Sequence, residues 1–162
     1  MSTKKVLLDQ FTKCYDTDGW FVSLKNAIAN VTAEQADWKP AGADNSIREI
    51  LNHLNYYNNA YLLRFKGENY EYKVADNDET FDHGEAESWD AEVARFDSIM
   101  TEWRTLLESS DKKKLRDTAP PKNEVSWSTM IANINAHNAH HGGQIVMLRK
   151  LQGSWDSGKG VK

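Results

Sequence analysis

Apolar residues recur along the chain at alternating intervals of four and three, the spacing of one helix face rather than the two-residue alternation of a strand. The clearest series is Trp89, Val93, Phe96, Met100, Trp103 and Leu107. A second series, Leu7, Phe11, Cys14, Phe21 and Ile28, is interrupted at Asp18-Gly19, where the first helix is expected to bend. A third opens on Ser46-Ile47-Arg48-Glu49, in which each polar side chain can satisfy a backbone N–H that the first helical turn leaves unpaired. It continues through Ile50, Leu54, Tyr57, Tyr61 and Phe65, predicting a helix from about Ile47 to Phe65. The fourth begins near Ser126 or Ser128 and runs through Met130, Ile134, Ile145 and Leu148 towards Leu151.

Between these stretches lie Trp38 to Gly42, Asp76 to Glu85 and Thr118 to Asn123, segments with loop-forming composition. No strand pairs and no internal repeat are visible. The pattern predicts an all-α four-helix bundle with crossover loops, a single domain over residues 1–162 in which 153–162 form a loose tail. Hydrophobic residues make up 40% of the 162, enough to close one core.

Charge narrows the partners. Twenty basic residues against 24 acidic leave a net charge of -4, without the positive field that binding a phosphate backbone needs, so no nucleic acid is expected. Lys112-Lys113-Lys114 reads as a solvated loop. No apolar run approaches the roughly 20 residues of a membrane span, and Val6-Leu7-Leu8 is too short for a signal peptide. One cysteine, Cys14, excludes an intramolecular disulfide and a thiolate cluster, and suits a reducing cytoplasm.

The chemistry concentrates in His137-Asn138-Ala139-His140-His141-Gly142-Gly143-Gln144. On a helix His137 and His141 differ in direction by only about 40°, so both can reach one ion. They continue the apolar line of Met130 and Ile134, and an imidazole on a buried face needs partners. His53, one turn from Ile50 and from Tyr57 on the second helix, is the candidate third ligand. Three imidazoles suit a divalent transition metal, zinc or nickel foremost, and leave a coordination position open. Spacing alone does not decide the matter, because H-x-x-x-H pairs are common in helices that bind nothing. Gly142-Gly143 costs on the order of 1 kcal/mol per residue relative to alanine, which implies a close approach by a substrate or by a neighbouring helix. His140 points about 100° away from His141 and is expected on a flanking surface or supporting the site from outside, not as a ligand. His83 is expected in a solvated loop, and Cys14 in the core. Asp18 either orients a ligand histidine or caps the break at Gly19. Trp38 and Trp127 sit where loops meet the bundle and could line a pocket.

Trp38-Lys39-Pro40, followed by Ser46-Ile47-Arg48-Glu49-Ile50-Leu51-Asn52-His53-Leu54, resembles the entry into the second helix in the DinB-like (DinB/YfiT-like) superfamily. His137, His141, Gly143 and Gln144 are similar to its H-x-x-x-H-x-G-Q pattern. The resemblance implies a four-helix bundle with a metal site at His53, His137 and His141, and often a homodimer. It also implies a metal-dependent enzyme, foremost a thiol S-transferase using a low-molecular-weight thiol. A metal-dependent hydrolase and a non-catalytic metal- or ligand-binding stress protein are the alternatives. Gly142 departs from the pattern, since the family often carries a larger, commonly basic side chain there, so substrate contacts from that position do not transfer.

Overall fold

The computed structural model describes residues 2–82, 88–122 and 124–159. Among them are seven α-helices: α1 (Thr3–Tyr15), α2 (Leu24–Ile28), α3 (Ala33–Asp37), α4 (Ile47–Lys66), α5 (Trp89–Ser109), α6 (Lys112–Arg116) and α7 (Trp127–Leu151). The four long helices, α1, α4, α5 and α7, form the bundle. Helix α4 packs on α5 and α7, and α1 packs on α7 and α5. Among the described residues there is no β-strand, only an isolated antiparallel bridge between Thr118 and Ser126. No helix there is long and apolar enough to cross a membrane.

Helix α4 begins and ends where the sequence provides for it. The Ser46 hydroxyl accepts from Glu49 N while the Glu49 carboxylate accepts from Ser46 N, and Gly67 stops the helix at φ 89°, a left-handed conformation favourable to glycine. Ser126 is the cap of α7, accepting from Thr129 N. Where the lines cross, Phe65 of α4 lies 5.2 Å from the Trp103 ring of α5 and 4.9 Å from the Trp127 ring of α7. The Trp103 indole donates to Asn58 O, so this large buried ring leaves no polar atom unpaired.

Three expectations need adjustment. The first stretch does not bend as one helix. It ends at Tyr15 and restarts at α2, because the Asp18 carboxylate accepts from Ser23 N, Ser23 Oγ and Asn26 Nδ2 and so pins the start of a new helix. Asp18 therefore caps a break. Trp20 and Phe21, carried on this connection, are exposed rather than core. Second, Lys112-Lys113-Lys114 is helical, with Asp111 accepting from Lys114 N at the start of α6. The Lys114 ammonium lies 4.8 Å from the Phe65 ring centroid, so its stem covers the aromatic core while its charge meets solvent. Third, the chain after Gly153 is partly held: the buried Arg149 donates to Ser154 O, and its guanidinium lies 5.2 Å from the Trp155 ring. His83 lies outside the described residues.

Candidate metal centre

His53 projects from α4 into the space facing α7, where His137 and His141 stand one turn apart. His53 Nε2 is 2.9 Å from His137 Nε2, and His141 Nε2 is 3.1 Å from the same atom. These three form the one group of histidine, cysteine or carboxylate side chains among the described residues that could hold a metal ion, with ligand atoms all within 4.8 Å of one another.

The outer ring nitrogens fix which way the lone pairs point. His53 Nδ1 is 2.6 Å from Thr80 Oγ1. The single Thr80 hydroxyl proton is already given to Asn77 O at 2.5 Å, so Nδ1–H must donate to Thr80, leaving an unprotonated Nε2 on His53. His141 Nδ1 is 2.6 Å from Gln144 Oε1, an oxygen that can only accept, so His141 likewise turns a bare Nε2 inward. His137 can supply at most one proton to two such neighbours. At least one of the short nitrogen contacts is then lone pair against lone pair, an arrangement a cation at the centre would relieve. This donor set fits a divalent transition metal, with the outer partners orienting each ring as metal-bound histidines require.

Burial reinforces the neutral form. Desolvation, with repulsion from His141 and His137, lowers the His53 pKa from 6.5 to about 3. Desolvation and the neighbouring His141 and His140 lower that of His137 to about 4. His141 is also held below its ordinary value by burial, although Gln144 works the other way. All three rings are therefore neutral near pH 7, each with one bare nitrogen, as metal ligation demands.

A strap between α4 and α5 roofs the triad. Phe81 stacks on His53 with ring centroids 4.0 Å apart and planes 10° from parallel. Asn52 Nδ2 donates to Thr80 O at 2.9 Å and to Asp82 O at 2.7 Å. At the other end of the strap, the buried Arg64 donates to Tyr70 O and to the Tyr72 hydroxyl, with its guanidinium 4.3 Å from the Tyr72 ring. Thr80 and Phe81 carry no periodic or motif signal in the sequence, because a loop residue's contacts follow from where the loop is tied down. Gln144 is visible only as a motif letter. Its role appears with the hydrogen bond.

The other candidates sit apart from the triad. Cys14 is buried and donates to Asn135 O at 3.2 Å, and burial pushes its thiol up to about 11. His140 is exposed on the flank of α7, its ring 5.1 Å from that of His141. Gly142 faces α2: a Cβ there would lie 3.5 Å from Leu24 Cδ2 and 3.9 Å from Val22 O, ordinary contact distances, so the neighbouring helix is close but does not by itself demand glycine. Gly143 meets nothing within 4 Å. Trp127 is core, and Trp38 is a partly exposed residue at the end of α3. Beside His137 the bundle opens into a cavity of about 360 Å³ walled by α4, α7 and Asn77 of the strap.

Comparison with known proteins places this geometry in context. A family model described as the DinB superfamily matches residues 22–145, a span that contains all three histidines. No curated protein matches the chain.

Proposed function

The chain belongs to the DinB superfamily, and from that premise we propose that it is a metal-dependent enzyme whose His53, His137 and His141 hold one divalent ion, zinc or nickel. We further assign it the transfer of a low-molecular-weight thiol to an electrophile. The observation that carries the metal reading is the convergence of three Nε2 atoms, two of them with lone pairs fixed inward by Thr80 and Gln144. The thiol reading rests on the family resemblance and on the donor set. Three neutral imidazoles leave the charge of a divalent ion uncompensated, which favours an anionic fourth ligand.

An ion bound there supplies Lewis acidity that draws a thiol towards its thiolate form. The chain's own residues do the rest. Thr80 and Gln144 hold two rings in the ligating tautomer, Phe81 shields His53 from water, and the cavity beside His137 admits the reactants. Cys14 is no nucleophile, since its thiol is buried away from the triad and its pKa is raised, so the reacting thiol comes from outside.

The test has two arms. Protein loaded with zinc or nickel and dialysed should retain its ion, and the His137→Ala/His141→Ala double variant should lose it. Equal retention by the two would remove the metal site. Cobalt-loaded protein titrated with glutathione, bacillithiol or cysteine should develop an intense near-ultraviolet sulfur-to-metal band, undiminished in Cys14→Ala. Absence of the band would remove the thiol reading and leave a hydrolase or a ligand-binding protein.

A further inference from the structure

The cavity beside His137 differs in character from the surface around it. Its walls include Tyr57, Tyr61, Met130 and Ile134, with Asn77 and Asn133 at the polar positions, and among the described residues no aspartate, glutamate, lysine or arginine lines it. The phenols are uncharged near neutrality, since burial raises the pKa of Tyr57 and pushes that of Tyr61 up to about 12. In a chain that is 27% charged, a concave surface without one fixed charge is selective by exclusion. Away from the triad, a charged group entering it would shed water and meet no charged lining side chain among the described residues, whereas a neutral one pays no such penalty.

The volume and the free donors define the occupant further. About 360 Å³ is roughly twice the ~150 Å³ in which an apolar cavity takes up benzene, so one ring and a short substituent fit. Asn58, also at the wall, is spent: it donates to Leu54 O and exchanges amide hydrogen bonds with Asn138. Asn77 accepts from the Tyr57 hydroxyl through Oδ1, which leaves its Nδ2 without a hydrogen bond among the described residues. The Asn133 carboxamide, exposed on α7, is likewise uncommitted. Amide donors from Asn77 and Asn133 over apolar and aromatic walls suit a ligand that accepts hydrogen bonds and carries no charge, with Asn133 Oδ1 able to accept in return.

We infer that this cavity binds an uncharged single-ring aromatic group bearing a hydrogen-bond acceptor, the electrophilic partner of the thiol. The assignment of the group as electrophile rests on the triad being the reacting centre; the binding preference rests on the cavity alone. It also places the charged arms of a thiol such as glutathione outside this cavity.

Three probes of nearly equal size separate the possibilities: benzamide, benzoate and benzylamine, the last a cation near neutrality. Each is titrated into ¹⁵N-labelled protein without metal, and the carboxamide signals of Asn77 and Asn133 are followed. Benzamide should bind at least ten-fold more tightly than either charged probe and shift both signals. In Met130→Lys, a substitution at the half-buried cavity wall, benzoate should overtake benzamide. Equal or tighter binding of a charged probe by the parent, shifts confined to other residues, no binding of benzamide, or an unchanged order in Met130→Lys would overturn the inference. Failure of the metal reading appears separately, as loss of ion retention in protein that still prefers benzamide.

Discussion

Thr80→Val tests whether the strap sets the ligating state of His53. The substitution keeps shape while removing the hydroxyl that accepts from His53 Nδ1–H at 2.6 Å and donates to Asn77 O at 2.5 Å. Thr80 is 1% exposed, so water cannot readily replace it. A buried donor left without a partner costs about 1–3 kcal/mol, and at about 2–4 °C per kcal/mol for a chain of this size the melting temperature should fall by about 2–12 °C. The ring has a second escape: it can move its proton to Nε2, which removes the lone pair from the centre. Loss of an outer partner of a ligating histidine typically costs about 10–100-fold in metal affinity, or about 1.4–2.8 kcal/mol. Competition for zinc against a chromophoric chelator measures this directly. Thr80→Ser keeps the hydroxyl and should stay close to the parent. If Thr80→Val binds zinc within about three-fold of both, the strap does not orient His53 and the tautomer argument fails.

Other perturbations follow from the same geometry. Gly143→Ala, in a helix interior with nothing within 4 Å of the new Cβ, should stabilise the protein by about 0.5–1 kcal/mol, read as a rise in melting temperature; a fall would mean that the position is not open. Asn138→Ala should cost about 1–3 kcal/mol by leaving the buried Asn58 Oδ1 without its donor, and should weaken zinc binding as well; unchanged affinity would separate the amide pair from the site. The metal-free protein should lose stability as pH falls from 7 to 5. His53 and His137 titrate at about 3 and 4 when folded but near 6.5 when unfolded, so the unfolded chain takes up protons first. The stability they contribute is full above about pH 6.5 and is lost as pH falls towards 3. By pH 5 the loss is at most about 2 kcal/mol for each ring, less for the partly exposed His137. His53→Ala should flatten this slope between pH 7 and 5 in thermal melts, and an equal slope in the variant would refute the assignment.

Much of this architecture is legible in the sequence wherever the determinant is local. The α4 capping box needs only Ser46 and Glu49, and the α5 stripe needs only the periodicity from Trp89 to Leu107, so both elements can be read without a structure. The pairing of His137 with His141 is equally local, because a helix fixes the geometry of residues four apart. The break after Tyr15 is harder: Leu7 to Ile28 keeps an apolar rhythm, and only the three bonds at Asp18 show that the chain restarts. Thr80 and Phe81 are illegible for a different reason. Their positions depend on Asn52 and Arg64 gripping the strap from α4, contacts that no periodicity encodes.

The third histidine raises the same question on a larger scale, since His53 can join the pair on α7 only if two helices are held in register. Apolar packing is poorly suited to that task, because one leucine contact resembles the next and a slide of one residue is only about 1.5 Å. The buried amides are better suited. Asn58 and Asn138 exchange hydrogen bonds of 2.8 and 3.1 Å, Asn138 adjoins His137 on α7, and Asn58 lies five residues beyond His53 on α4. Displacement along the helix axis would break both bonds between two buried side chains, so the cost rises steeply with the error in register. A second tie acts between α7 and α1: the Asn135 side-chain amide donates to Leu7 O, and the Asn135 backbone carbonyl accepts from Cys14. These asparagine ties therefore sit where the placement of the three imidazoles depends on them, while leucine, isoleucine and tryptophan supply the cohesion.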